Sequence, residues 1–176
     1  MNSPVTDYKA LIREVPNFPN PGILFYDITT LLKDAQALRS IVDELADRYC
    51  DKKISKVIGI ESRGFIFGSA LAYRLGVGFI PVRKPGKLPA DIFEVKYNLE
   101  YGSNSLAIHR DAVGIEENVL IVDDLLATGG TAAATVSLVR QLGGKIVGLA
   151  FLIELTSLHG RERLNGCDVH SMITYL

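Results

Sequence analysis

The sequence predicts an α/β fold, a parallel sheet with helices on both faces. Short apolar runs rich in β-branched residues recur at 56–60, 79–82, 119–122, 145–155 and 168–175. Helical patterns separate several of them, and Gly or Pro punctuates the joins. Strand–helix alternation buries a sheet on both faces and requires crossover connections, which favour parallel strands.

In chain order, Tyr8 to Val15 predicts a short helix ended by Pro16. Asp34 is a good N-cap for the next helix, in which Leu38, Ile41, Val42, Leu45, Ala46 and Tyr49 form one apolar face. Lys56–Ile60 is a buried strand, and Phe65–Leu75 a helix stopped by Gly76. Phe79–Val82 is a strand whose Pro81 points to a sheet edge or a strand end. Val119–Val122 is a third strand, and the helix opening at Ala132 runs through Leu142 to Gly143-Gly144. Lys145–Leu155 is a long apolar strand and Asp168–Tyr175 a more polar last one. Between Arg83 and Arg110, Pro85, Gly86, Pro89, Gly102 and many charges break the pattern, as in a mobile loop or small antiparallel flap.

The 176 residues suit one domain, and 48% apolar with 22% charged composition excludes a disordered chain. Nineteen basic residues against 20 acidic ones give net charge −1, which offers no attraction to nucleic acid or an anionic membrane. No apolar run approaches a membrane span, and the N-terminus shows no secretion signal. Cys50 and Cys167 stand apart, as expected of reduced cytoplasmic thiols. His109, His159 and His170 share no metal-ligand spacing and read as structural or surface residues.

Residues 119–131 carry the chemistry. Asp123 and Asp124 are expected where the apolar strand ends, followed by Ala127, Thr128, Gly129, Gly130 and Thr131 at a helix start. A Gly-rich turn entering a helix offers unpaired N–H groups at the positive end of the helix dipole, which suits a phosphate. Two carboxylates beside it would repel a bare phosphate, so the ligand must also bring hydroxyls or a metal ion. A sugar phosphate has both ends. The competing reading, a buried strand capped by solvated aspartates and a flexible turn, leaves the Thr-flanked glycines and the acidic pair unexplained. No Gly-Lys-Ser/Thr follows, which excludes a Walker A loop, and the acidic pair precedes the glycines, unlike a Rossmann fingerprint.

This stretch resembles the phosphoribosyl pyrophosphate (PRPP) motif of type I phosphoribosyltransferases. Four further stretches narrow the resemblance to adenine phosphoribosyltransferases: Phe18–Thr30, Glu61–Gly68, Arg83–Pro89 and Leu99-Glu-Tyr-Gly102. The resemblance covers nearly the whole chain. It implies a single phosphoribosyltransferase domain over 1–176, a core of about five parallel strands, an N-terminal hood (1–33) for base recognition and a flexible catalytic loop within 83–110. It implies transfer of the 5-phosphoribosyl group from PRPP to adenine, with AMP and pyrophosphate as products. Mg²⁺ is the implied cofactor, carried by PRPP, and a cytoplasmic homodimer the implied assembly.

Carried onto this sequence, the resemblance gives Ala127, Thr128, Gly129, Gly130 and Thr131 to the 5′-phosphate. Asp123 and Asp124 take the ribose hydroxyls, directly or through Mg²⁺, since carboxylates accept hydrogen bonds without competing donors. Glu61, Ser62, Arg63 and Gly64, with Arg83, Lys84 and Lys87, surround the pyrophosphate. Its dense charge calls for several cations and backbone donors. Arg63 and Glu100 are the catalytic residues, Glu100 as general acid/base for the N9 proton, with Tyr101 as loop anchor. Leu24, Phe25 and Tyr26 face adenine, Phe25 by stacking. Tyr26 departs from the Arg of many members. Two rivals keep the cradle: a 6-oxopurine or xanthine transferase, and a PRPP-sensing regulator that binds nucleic acid. The second would need a basic face or an added DNA-binding segment.

Overall fold

A computed structural model describes residues 7–99 and 102–176. The described chain divides into two compact units, one ending at Leu45 and the other spanning Ala46–Leu176.

The first unit holds a hairpin of β1 (Arg13–Pro16) and β2 (Leu24–Asp27), then a single helical turn, α1 (Thr29–Leu32). The expected helix over Tyr8–Val15 is corrected here. Only Lys9–Leu11 is helical, as a 3₁₀ turn, and Arg13 to Pro16 pair antiparallel with Asp27 to Leu24. Cross-strand pairing overrides the weak local preference for helix; β-branched Val15 suits an extended chain, and Pro16 is tolerated as the last residue of an edge strand. Asp34 caps α2 (Ala35–Tyr49) as expected, accepting the N–H groups of Gln36 (3.0 Å) and Ala37 (2.9 Å).

The second unit is built on a five-stranded parallel sheet ordered β4-β3-β7-β8-β9, with β3 Lys56–Ile60, β4 Gly78–Val82, β7 Asn118–Leu126, β8 Lys145–Leu155 and β9 Val169–Tyr175. Helix α3 (Gly64–Leu75) carries the chain from β3 outward to β4, and α4 (Gly130–Gln141) carries it from β7 outward to β8. Right-handed crossovers running in opposite directions put these helices on opposite faces. Pro81 falls on the edge strand β4, where a missing N–H costs no ladder bond. Gly76 ends α3 in the left-handed conformation (φ 69°). Ile58, Ile60, Ile121, Leu149 and Phe151 of the strands and Val136, Leu138 and Val139 of α4 are buried in one apolar core.

The segment that broke the alternation is an antiparallel hairpin, β5 (Ile92–Leu99) with β6 (Gly102–His109). Two backbone hydrogen bonds tie it to the end of β4: Arg83 N–H to Ala107 O (3.0 Å) and Ala107 N–H to Arg83 O (2.7 Å). Leu106 and Ile108 of β6 are buried, and Phe93, Val95 and Tyr97 of β5 pack against the same core. Between β8 and β9 only 3₁₀ turns occur, at Thr156–Leu158 and Gly160–Leu164. The strand expected at 119–122 is longer. It runs through Asp123 and Asp124 to Leu126, because eleven-residue β8 offers Phe151, Ile153 and Glu154 as partners for its second half.

Candidate active site

The sheet's winding reverses between β3 and β7, and ligands of open α/β sheets bind at that point, beyond the carboxyl ends of the strands. A cleft of about 400 Å³ lies there. The turn after β3 lines it with Glu61, Ser62 and Arg63, and the end of β7 with Asp123 through Ala132. The Glu61–Ser62 peptide is cis.

The loop into α4 is shaped by glycine. Gly129 has φ 78°, and a β-carbon there would lie 2.2 Å from the carbonyl oxygen of Gly160. A β-carbon on Gly160 would in turn lie 2.1 Å from the carbonyl oxygen of Ala127. Two backbones touch directly, and only hydrogen atoms fit between them. The first helical bond of α4 runs from Ala133 N–H to Gly129 O (2.9 Å). The preceding N–H groups of the first turn have no intrahelical acceptor, a donor arrangement that suits an anion.

Gly64, which opens α3, makes room for the acidic pair. A β-carbon on it would stand 2.7 Å from Asp123 Oδ1. The same oxygen accepts the Asp124 N–H (2.9 Å). Burial first, and the adjacent Asp124 carboxylate second, push Asp123 well above the usual carboxylate range. Asp124 is buried and its Oδ2 pairs with Arg63 Nε at 2.5 Å. The ion pair bridges the two sides of the cleft.

Glu61 gathers the cations expected around pyrophosphate. Its carboxylate accepts Lys87 Nζ at 2.7 Å, Arg83 Nε and Nη2 at 3.4 Å each, and the Lys84 backbone N–H at 3.1 Å. The Lys87 hydrogen bond above all holds the Glu61 pKa down at about 2, and the Lys84 N–H and Arg83 add to the effect. Glu61 is therefore an ionised acceptor, and it serves this corner of the site by holding Arg83 and Lys87. Lys84 joins through its backbone, and its side chain is exposed.

Among the described residues, no three His, Cys, Asp or Glu side chains gather as a metal cage. With Asp123 Oδ1 engaged by the Asp124 N–H and Asp124 Oδ2 by Arg63, each carboxylate keeps one further oxygen, a donor set that fits an ion drawing most of its ligands from elsewhere.

Residues 29–172 match the phosphoribosyl transferase domain family. The adenine phosphoribosyltransferase of Solibacter usitatus is 61% identical over 169 residues, 96% of this chain and 98% of that one. The crystal structure of the Thermoanaerobacter pseudethanolicus adenine phosphoribosyltransferase superposes with a TM-score of 0.93 at 53% identity, covering 96% of this chain and 98% of its own. The chain belongs to the adenine phosphoribosyltransferase family. A more distant member, from Saccharomyces cerevisiae, was crystallised with an imino-altritol bisphosphate and adenine. It is 42% identical with a TM-score of 0.89, over 94% of this chain and 96% of its own.

In this adenine phosphoribosyltransferase family member, the described site brings Glu61, Ser62 and Arg63 together with Asp123, Asp124 and Ala127–Thr131. Gly64 touches Asp123, and Arg83 and Lys87 join through Glu61. Leu24, Phe25 and Tyr26 lie on β2 in the first unit, where Phe25 meets Phe18 edge-on with centroids 5.1 Å apart. Burial, then the charge of Glu14 across the hairpin, raises the Tyr26 pKa. Glu100 and Tyr101 lie outside the described residues. Sequence reading missed Leu125, Leu126 and Ala132 as cleft lining, and Tyr97, whose hydroxyl lies 3.2 Å from Thr131 Oγ1. Phe93, Val95 and Tyr97 recur at every second position, a strand signal that the surrounding charges obscured.

Proposed function

We propose that this protein transfers the 5-phosphoribosyl group of PRPP to N9 of adenine, giving AMP and pyrophosphate in purine salvage. The observation that carries the reading is the meeting, across one cleft, of the glycine-shaped loop at Ala127–Thr131 and the Glu61–Gly64 turn. One is suited to a 5′-phosphate and the other to a pyrophosphate.

Thr128, Thr131 and the first-turn N–H groups of α4 hold the 5′-phosphate. Asp123 and Asp124 accept the ribose hydroxyls and face the positive charge that develops on the ring. Arg63, freed from Asp124 as the ribose takes that carboxylate, moves toward the pyrophosphate, where Arg83 and Lys87 already stand beside Glu61. The C1′–O bond breaks with its electron pair leaving on pyrophosphate, and the N9–C1′ bond forms from the opposite face. Glu100 takes the N9 proton, directly or through water. Tyr101 anchors the loop, and Leu24, Phe25 and Tyr26 receive the base. Most of the rate comes from placement and preorganised charge. Asp123 or Asp124 would hold a Mg²⁺ brought in on PRPP, and the ion would supply positive charge to the diphosphate.

The protein works as a homodimer in the cytoplasm. Exposed Tyr73 and Ile66 on α3 favour a self-contact, and the free thiols Cys50 and Cys167 favour a reducing compartment. No helix among the described residues is long and apolar enough to cross a membrane.

The test is incubation with PRPP, Mg²⁺ and equimolar adenine, hypoxanthine, guanine and xanthine, followed by quantification of nucleotides. AMP alone is expected, with Tyr26 tolerated. IMP, GMP or XMP would move the protein to the oxopurine branch. No nucleotide with PRPP bound would point to the regulator.

A further inference from the structure

Tyr97 stands on β5, outside the segment that shapes the phosphate loop, yet it touches that loop twice. Its hydroxyl lies 3.2 Å from Thr131 Oγ1, and its ring carbon Cδ2 lies 3.2 Å from where a β-carbon on Gly130 would be. Its place is fixed from behind, because Phe93, Val95 and Tyr97 pack as one row against the buried core.

We propose that Tyr97 is a positioning residue for the 5′-phosphate, its O–H donating to Thr131 Oγ1 and so turning the Thr131 O–H toward the phosphate. The inference rests on the reading of Ala127–Thr131 as the 5′-phosphate loop. A threonine hydroxyl has one proton to give and two lone pairs with which to accept. A phosphate dianion only accepts, so a bound phosphate fixes Thr131 as donor. The bond to Tyr97 must then run from the phenol to the threonine. Donors in series polarise one another, which strengthens the terminal bond to the anion. The ring closes the flank of Gly130, so the loop is held both in shape and in hydroxyl orientation.

The test compares AMP and adenosine binding by calorimetry for wild type, Tyr97→Phe, Thr131→Val and the double variant. Tyr97→Phe keeps the ring and its packing. It is expected to weaken AMP binding about 3- to 10-fold, the loss of one net hydrogen bond, and to leave adenosine binding unchanged. In the Thr131→Val background the same substitution is expected to change nothing further. Full AMP affinity in Tyr97→Phe overturns the proposal. So does an equal loss for adenosine, or an undiminished effect in the Thr131→Val background. A wild-type protein that fails to prefer AMP to adenosine would instead overturn the phosphate reading of the loop itself.

Discussion

Replacing Gly129 with Ala separates a conformational cost from a steric one. Gly129 and Gly76 share left-handed backbone, with φ of 78° and 69°. A β-carbon on Gly76 meets nothing within 4 Å, whereas one on Gly129 meets Gly160 O at 2.2 Å and Gly160 C at 3.0 Å. Alanine in this region costs about 1–2 kcal/mol at either site. At Gly129 the two backbones must also part by about 1 Å or more, and overpacking of that kind adds about 1–3 kcal/mol. Gly76→Ala is therefore expected to lose about 1–2 kcal/mol, and Gly129→Ala about 2–5 kcal/mol. Urea denaturation of both variants measures the difference. Because the displaced segment is the loop proposed to hold the 5′-phosphate, Gly129→Ala should also lower kcat/KM for PRPP by about 100-fold, while Gly76→Ala leaves it intact. Equal destabilisation of the two, with PRPP kinetics unchanged in Gly129→Ala, would refute the backbone contact as the reason for glycine.

Three further outcomes are expected. Glu61 ionises at about 2 in the fold against 4.5 in the open chain, so its contribution to stability is complete above pH 4.5 and is lost as pH falls toward 2. In urea titrations across that window Glu61→Gln should lose less stability than wild type, and parallel curves would count against the hub of cations. Arg161 donates through Nε to Glu154 Oε1 (3.0 Å), pairs again through Nη2, and reaches Val169 O with Nη1 (2.7 Å), while Glu154 is only 5% exposed. Arg161→Ala strands that carboxylate and should cost about 3 kcal/mol at neutral pH, where a loss below about 1 kcal/mol would class the pair with surface ion pairs. Glu100→Gln should cut turnover about 100-fold or more with PRPP still bound, and near-normal single-turnover rates would remove Glu100 from the chemistry.

Apolar periodicity carried most of the architecture. Lys56–Ile60 and Lys145–Leu155 sit at the observed bounds, and Asp34 and Gly76 mark the helix ends they were expected to mark. The failures share a cause. Arg13–Pro16 is a strand only because Leu24–Asp27 lies beside it, and Asp123 and Asp124 continue β7 only because β8 extends past Val122. Local pattern does not encode a partner's length. The cleft was legible in its motif residues, since loop glycines and paired carboxylates carry their chemistry in their identities. The role of the Glu61 side chain was not, because a carboxylate among cations reads as ligand or as counter-charge until its partners are known.

The 119–131 stretch invites treatment as a portable cassette, thirteen contiguous residues that a designer could move to another sheet. Its working form is not contiguous. Gly64 clears the space under Asp123, Gly160 clears it beside Gly129, and the Tyr97 ring closes against Gly130. Each of these neighbours comes from a different segment, and two of them contribute by having no side chain. A graft of the cassette alone would place bulk where those hydrogens were and would carry the sequence of a phosphate loop without its shape. The unit that can be transplanted is the cassette with its three outside contacts, so a search for new hosts should begin from the vacant space those contacts leave.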